Sequence, residues 1–220
     1  MRKLLLIMWL LTLAESACAG VLSFAGNLAP ANPNDVFLVP FTLTANADLH
    51  IQTYGYGGTA NAIAGENAVG VVIAAGGFDP YVSLFAGTGP GATFLASNDD
   101  GLCPPGAVAP VCADSTLDML NLVAGNYTLA LTLPFNFSFA ENNGISMLGD
   151  GFIGLDSDFS DGACAASCTA NYALDITSAQ NLLLISTSVP TFGSLALILL
   201  GLLMWACHLH FLKGRSKCIH

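Results

Sequence analysis

The chain has 220 residues, is 54 % hydrophobic and only 9 % charged, and carries a formal net charge of −10. All five Lys and Arg lie at the ends, Arg2 and Lys3 at the start and Lys213, Arg215 and Lys217 at the finish, with none between Leu4 and Leu212. Fourteen of the fifteen carboxylates lie between Asp35 and Asp175, a field that repels phosphate backbones and excludes a nucleic-acid partner.

At the start, Arg2 and Lys3 precede the apolar run Leu4 to Leu13 and then Ser16-Ala17-Cys18-Ala19-Gly20. A basic start, an apolar core and a small-x-small site make a secretory signal over residues 1–19. Ala17 and Ala19 take the small positions, signal peptidase is the implied enzyme, and cleavage falls before Gly20. A lipoprotein signal acylated at Cys18 is the alternative, but Glu15 stands where that signal wants an aliphatic residue.

Residues 20–178 read as one acidic, all-β outer domain, a single β-sandwich or jelly roll. Val36 to Thr44 places Phe37, Val39, Phe41 and Leu43 on one face, and Leu49 to Tyr54 alternates again. Asp79 to Phe85 follows the turn formers Gly76-Gly77. Tyr127, Leu129, Leu131 and Leu133 form the cleanest period-two run, Phe135, Phe137 and Phe139 repeat it, and Tyr172, Leu174 and Ile176 close it. Asp100-Gly101, Ala124-Gly125-Asn126 and Asn143-Gly144 supply turns between these runs.

Asp48-Leu49-His50-Ile51-Gln52-Thr53, then Gly77 to Phe85 with Ser97-Asn98-Asp99-Asp100-Gly101, then Ala124-Gly125-Asn126-Tyr127-Thr128-Leu129 occur in that order. In this order they resemble the bacterial pre-peptidase C-terminal (PPC) type of β-sandwich, over roughly residues 36–176. The resemblance implies an accessory or binding unit, not a catalytic one. The stretch from Leu133 to Asn171 departs from the generic PPC pattern.

Export makes the compartment oxidising for Cys103, Cys112, Cys164 and Cys168. Four cysteines allow three connectivities, and Cys103–Cys112 with Cys164–Cys168 closes one Gly/Pro/Ala-rich loop each. A Cys₄ zinc site is the alternative, and it lacks CxxC spacing. Two acidic clusters are candidate Ca²⁺ sites. The first is Asn98-Asp99-Asp100-Gly101 with Asp79 and Asp114; the second is Asp150 with Asp156, Asp158 and Asp161. Ca²⁺ takes six to eight oxygen ligands, which Asp/Asn/Gly loops supply, while solvated turn-forming Asp is the plainer reading of both. The second cluster is no EF-hand loop, since no Glu follows at its twelfth place.

Residues 179–190 read as a linker ending in Val189-Pro190, and 191–212 as a transmembrane helix without formal charge. The basic tail 213–220 is expected in the cytoplasm, which turns the preceding domain outward. A Pro motif, a span and a basic tail together resemble the PEP-CTERM class of bacterial sorting signals, with Val189-Pro190-Thr191-Phe192 where that class has Val-Pro-Glu-Pro. The resemblance implies an exosortase-type peptidase as partner. The protein is then anchored in the inner membrane facing the periplasm, or sits at the cell surface after processing.

No GxSxG, HExxH or P-loop pattern is present, and the outer domain has a single His, His50. With no base to pair with Ser, the expected role is a non-catalytic surface or extracellular-matrix protein, structural or adhesive. A carbohydrate- or calcium-binding module is the alternative, with surface polysaccharide as partner. Trp9 and Trp205 lie outside the domain, leaving Tyr54, Tyr56 and Tyr81 as stacking candidates, although strand Tyr is more often half-buried core.

Overall fold

The computed structural model of the chain describes residues 19–28, 32, 34–54, 63–74, 76–107, 113–142, 147–155 and 169–185. Almost all regular structure there is antiparallel β. In chain order the strands are β1 (Gly20–Asn27), β2 (Phe37–Leu43), β3 (Ala47–Tyr54), β4 (Ile63–Glu66), β5 (Val72–Ala74) and β6 (Tyr81–Ala86). They continue with β7 (Thr93–Asn98), β8 (Thr116–Leu122), β9 (Gly125–Thr132), β10 (Asn171–Ser178) and β11 (Leu182–Leu184), with one short helix, α1 (Phe139–Asn142), after β9.

A four-stranded sheet has the order β1-β10-β3-β8 and a five-stranded sheet the order β11-β2-β9-β6-β7, while β4 and β5 pair as a separate hairpin. Within the two large sheets, only the β6–β7 connection stays in one sheet; every other step crosses to the opposite one. The period-two runs decide what lies between the sheets. Leu49, Ile51, Leu117, Leu174 and Ile176 from one sheet meet Val39, Phe41, Leu43, Val82, Leu84, Leu129 and Leu131 from the other in a single core. Each such side chain removed from water contributes about 1.5–3 kcal/mol. Phe41 and Tyr127, opposite each other on β2 and β9, stack with ring centroids 5.7 Å apart.

In most two-layer antiparallel folds the alternate positions of a strand such as β9 face water. Instead Thr128, Ala130 and Thr132 are buried. A second apolar layer covers the outer face of the five-stranded sheet, where Phe85 and Ala130 pack with Ala92, Ala140, Leu148, Phe94 and Phe152. Ala140, Leu148 and Phe152 of that layer come from the stretch after β9. The Phe135-Phe137-Phe139 run is therefore not a strand. Thr132 Oγ1 donates to the Asn136 carbonyl, Gly154 N donates to Asn136 Oδ1, and Phe135 takes a φ of 67°. These side-chain bonds to backbone end the ladder. Phe137 then packs edge-on against Tyr81 at 5.0 Å.

A second correction concerns the linker. Leu182–Leu184, expected in the linker over 179–190, form β11 and pair with Leu43, Thr42 and Phe41 of β2. The described part of the domain thus runs to Ile185. Gly20, the residue after the expected cleavage point, opens β1 and donates to the Gln180 carbonyl at 3.0 Å; a Cβ there would lie 2.4 Å from Leu182 N. The first and last strands of the domain are neighbours.

No helix among the described residues is long and apolar enough to cross a membrane. The expected signal (1–19, apart from Ala19), Val189-Pro190, the span over 191–212 and the tail 213–220 lie outside the described residues.

Candidate functional site

The first acidic cluster assembles where three strands meet. Asp79 and Pro80 lead into β6, Asn98 ends β7 with Asp99 and Asp100 following, and Asp114 and Ser115 lead into β8. At its centre is Ser115, fully buried, with Oγ 2.5 Å from the Pro80 carbonyl, 2.9 Å from that of Asn98 and 2.7 Å from that of Asp99. One hydroxyl carries one proton, so three carbonyl oxygens converge on a single donor. Thr53 of β3 anchors the same loop, accepting Ser115 N–H at 2.8 Å and lying 3.2 Å from Asp114 Oδ1. Asn98 Oδ1 accepts Thr116 N–H at 2.9 Å.

The Oδ1 atoms of Asp79 and Asp99 are buried and have no hydrogen-bond partner. Burial, followed by the charges of Asp99, Asp100 and Asp114, raises the Asp79 carboxyl to about 7. Burial raises Asp99 as well, with Asp100 and then Glu141 adding to it. Glu141, carried in by α1, accepts the Tyr81 hydroxyl; burial and that bond push Tyr81 up to about 12. Among the described residues there is no Lys or Arg to relieve this repulsion.

Asp79, Asn98, Asp99, Asp100 and Asp114 thus lie on the segments that lead into β6 and β8 and out of β7. Among the described residues, however, no three His, Cys, Asp or Glu side chains converge closely enough to hold a metal by themselves. An oxygen-ligated cation would need main-chain carbonyls beside the carboxylates, and the loop carries both. Asp150 is elsewhere, exposed, its Oδ2 accepting Met147 N–H within a 3₁₀ turn (Leu148–Asp150). Asp156, Asp158 and Asp161 lie outside the described residues, as do Cys112, Cys164 and Cys168. Cys103 is disulfide-bonded.

A second constellation lies on the outer face of the four-stranded sheet. His50 on β3 and Asp118 on β8 are register partners, with His50 Nδ1 2.6 Å from Asp118 Oδ1. Next to them Gln52 and Asp175, also register partners, are 4 % and 2 % exposed. The β4–β5 hairpin explains that burial. It crosses the sheet, its Ala68 N–H donating to Asp175 Oδ2 at 2.5 Å and its Glu66 N–H to the Pro105 carbonyl at 2.7 Å. Tyr54 hydrogen-bonds Asp175 through its hydroxyl, and burial and that carboxylate push it far above the usual tyrosine range. Two cavities of about 410 and 430 Å³ lie along this face and share His50 and Thr177.

Sequence reasoning singled out neither Asp175 nor Ser115. A lone Asp in an alternating strand reads as solvent-facing, and a Ser beside a turn reads as a turn former. Tyr54 and Tyr81, at 4 % and 1 % exposure, offer no open ring face for stacking, and Tyr56 lies outside the described residues. No protein-family model matches the chain, and no curated protein does either.

Proposed function

We propose that the chain is a non-catalytic exported surface or extracellular-matrix protein, structural or adhesive, tethered by a membrane helix over 191–212. The observation that carries this reading is the charge separation: fourteen carboxylates and no fixed cation in the domain, with all basic residues beyond the two apolar terminal segments. The strand order favours the jelly-roll form of the sandwich, because successive strands alternate between sheets except at β6–β7. Cleavage before Gly20, pairing of Cys103 with Cys112 and of Cys164 with Cys168, and exosortase-type processing near Val189-Pro190 belong to the same reading.

The test combines the mass of the mature product with protease treatment of spheroplasts. The reading requires a mature chain starting at Gly20 and digestion of the middle region in intact spheroplasts. Protection until lysis overturns it.

A second reading, a calcium- or carbohydrate-binding module, draws on two observations. For calcium it is the pair of partnerless oxygens on Asp79 and Asp99 beside the carbonyls around Ser115. For carbohydrate it is the groove beneath the β4–β5 hairpin.

A further inference from the structure

We propose that the groove on the outer face of the four-stranded sheet binds a neutral oligosaccharide, with His50 and Thr177 at the junction of its two halves. The inference deepens the second reading above and names its site.

The argument starts from how the polar groups of the groove are held. Asp175 already receives Ala68 N–H and the Tyr54 hydroxyl. Asp118 is bonded to His50, and Asp48 accepts Asn121 N–H at 2.8 Å. Gln52 is fixed at both ends, its Nε2 donating to the Thr53 carbonyl at 2.9 Å and its Oε1 accepting from Thr116 Oγ1 at 3.0 Å. Asp48, Asp118 and Asp175 are each oriented by a group of the protein and keep further lone pairs, so these three are not unpaired anions in need of a counter-ion. Such pre-oriented acceptors suit hydroxyl donors, because little ordering is left for the moment of binding.

Charge narrows the class further. A groove with these carboxylates and no Lys or Arg repels uronates, sulfates and phosphates. One half of the groove is bordered by Val21 and Leu120, 39 % and 74 % exposed, which offer apolar contact to the C–H face of a sugar ring. The other half is walled by Glu66 to Ala68 of the hairpin and by Pro105-Gly106, in the loop that follows disulfide-bonded Cys103. Both halves, at about 410 and 430 Å³, fall in the range of small-ligand sites.

The test uses the purified full-length chain in detergent, so that it is independent of the spheroplast result. Neutral cello- and manno-oligosaccharides are titrated against it, with oligouronate and polylysine as counter-probes. Saturable binding of a neutral oligosaccharide is expected, weakened about tenfold by His50→Ala and by the near-isosteric Thr177→Val. Leu38→Ala, on the five-stranded sheet, should leave it unchanged. The inference is overturned if no neutral oligosaccharide binds, if oligouronate or polylysine binds as well or better, or if binding ignores both groove substitutions while the variants melt as the parent does. Spheroplast digestion without binding removes this site and leaves the exported reading standing; binding with spheroplast protection does the reverse.

Discussion

Ala68 at the hairpin and Asp175 in β10, 107 residues apart, are joined by one backbone N–H to carboxylate bond of 2.5 Å. That bond, with the Tyr54 hydroxyl on the same carboxylate, makes a buried Asp the pin between a two-stranded flap and the sheet beneath it. Asp175→Ala leaves both donors without their acceptor and is expected to cost about 2–4 kcal/mol. Asp175→Asn, which keeps an acceptor oxygen, should cost less than half as much. Urea unfolding followed by circular dichroism measures both, and equal losses would show that the pin is not what matters.

The flap has a second constraint at Gly65. Its φ is +150°, and a Cβ would lie 2.9 Å from Pro104 Cβ and 3.0 Å from Tyr54 Cδ1. Gly65→Ala is expected to lift the hairpin and speed amide exchange at Ala68, without matching loss in β9. Unchanged exchange at Ala68 would count against this.

The acidic loop makes stability depend on pH with a definite sign. Asp79 holds its proton up to about 7 in the fold, against an ordinary 3.8. The folded chain binds that proton more tightly than the unfolded one, so this contribution is fully present below about pH 4 and is lost as pH rises through 7. The whole shift corresponds to about 4 kcal/mol, which partial exposure of Asp79 reduces to about 2 kcal/mol. The difference between parent and Asp79→Asn melts isolates the effect. It should move in favour of the variant between pH 4 and 8, and a difference flat across that range would contradict it.

Calcium should offset the same repulsion. At a hundredfold excess over the dissociation constant, a single site stabilises by about 2.7 kcal/mol, or about 5–10 °C in midpoint for a domain of this size. The gain should vanish in Asp79→Asn and Asp99→Asn. A parent midpoint indifferent to calcium and to chelator would remove calcium from the account.

Phe85 tests the two-sided burial of the five-stranded sheet. It is fully buried on the outer face, against Phe94 at 5.7 Å. Phe85→Ala is expected to cost about 3–5 kcal/mol, comparable to a substitution in the inter-sheet core. A loss under about 1 kcal/mol would mean that Ala140, Leu148 and Phe152 do not seal this face.

The faces of single strands were legible in the sequence. Val39, Phe41 and Leu43 are buried as their alternation predicts, and so are Leu129 and Leu131. Asn98, Asp99, Asp100, Asp79 and Asp114 were named from the sequence as one candidate cluster, while Ser115 and Thr53, which hold that loop together, were not. The Phe135–Phe139 run misled because alternation describes only which side chains share a side. It carries no record of the Asn136 and Thr132 bonds that stop the strand.

By itself, then, the sequence determined the all-β class and the inward face of the main strands, since a period of two is a local property of the backbone. Which strands become neighbours was decided only in three dimensions. The crossings between sheets, the second layer over Phe85 and Ala130, and the burial of Asp175 under a flap all depend on contacts between residues far apart in the chain. Polar strand positions look alike in sequence whether water or another layer covers them, and only tertiary packing determines which does.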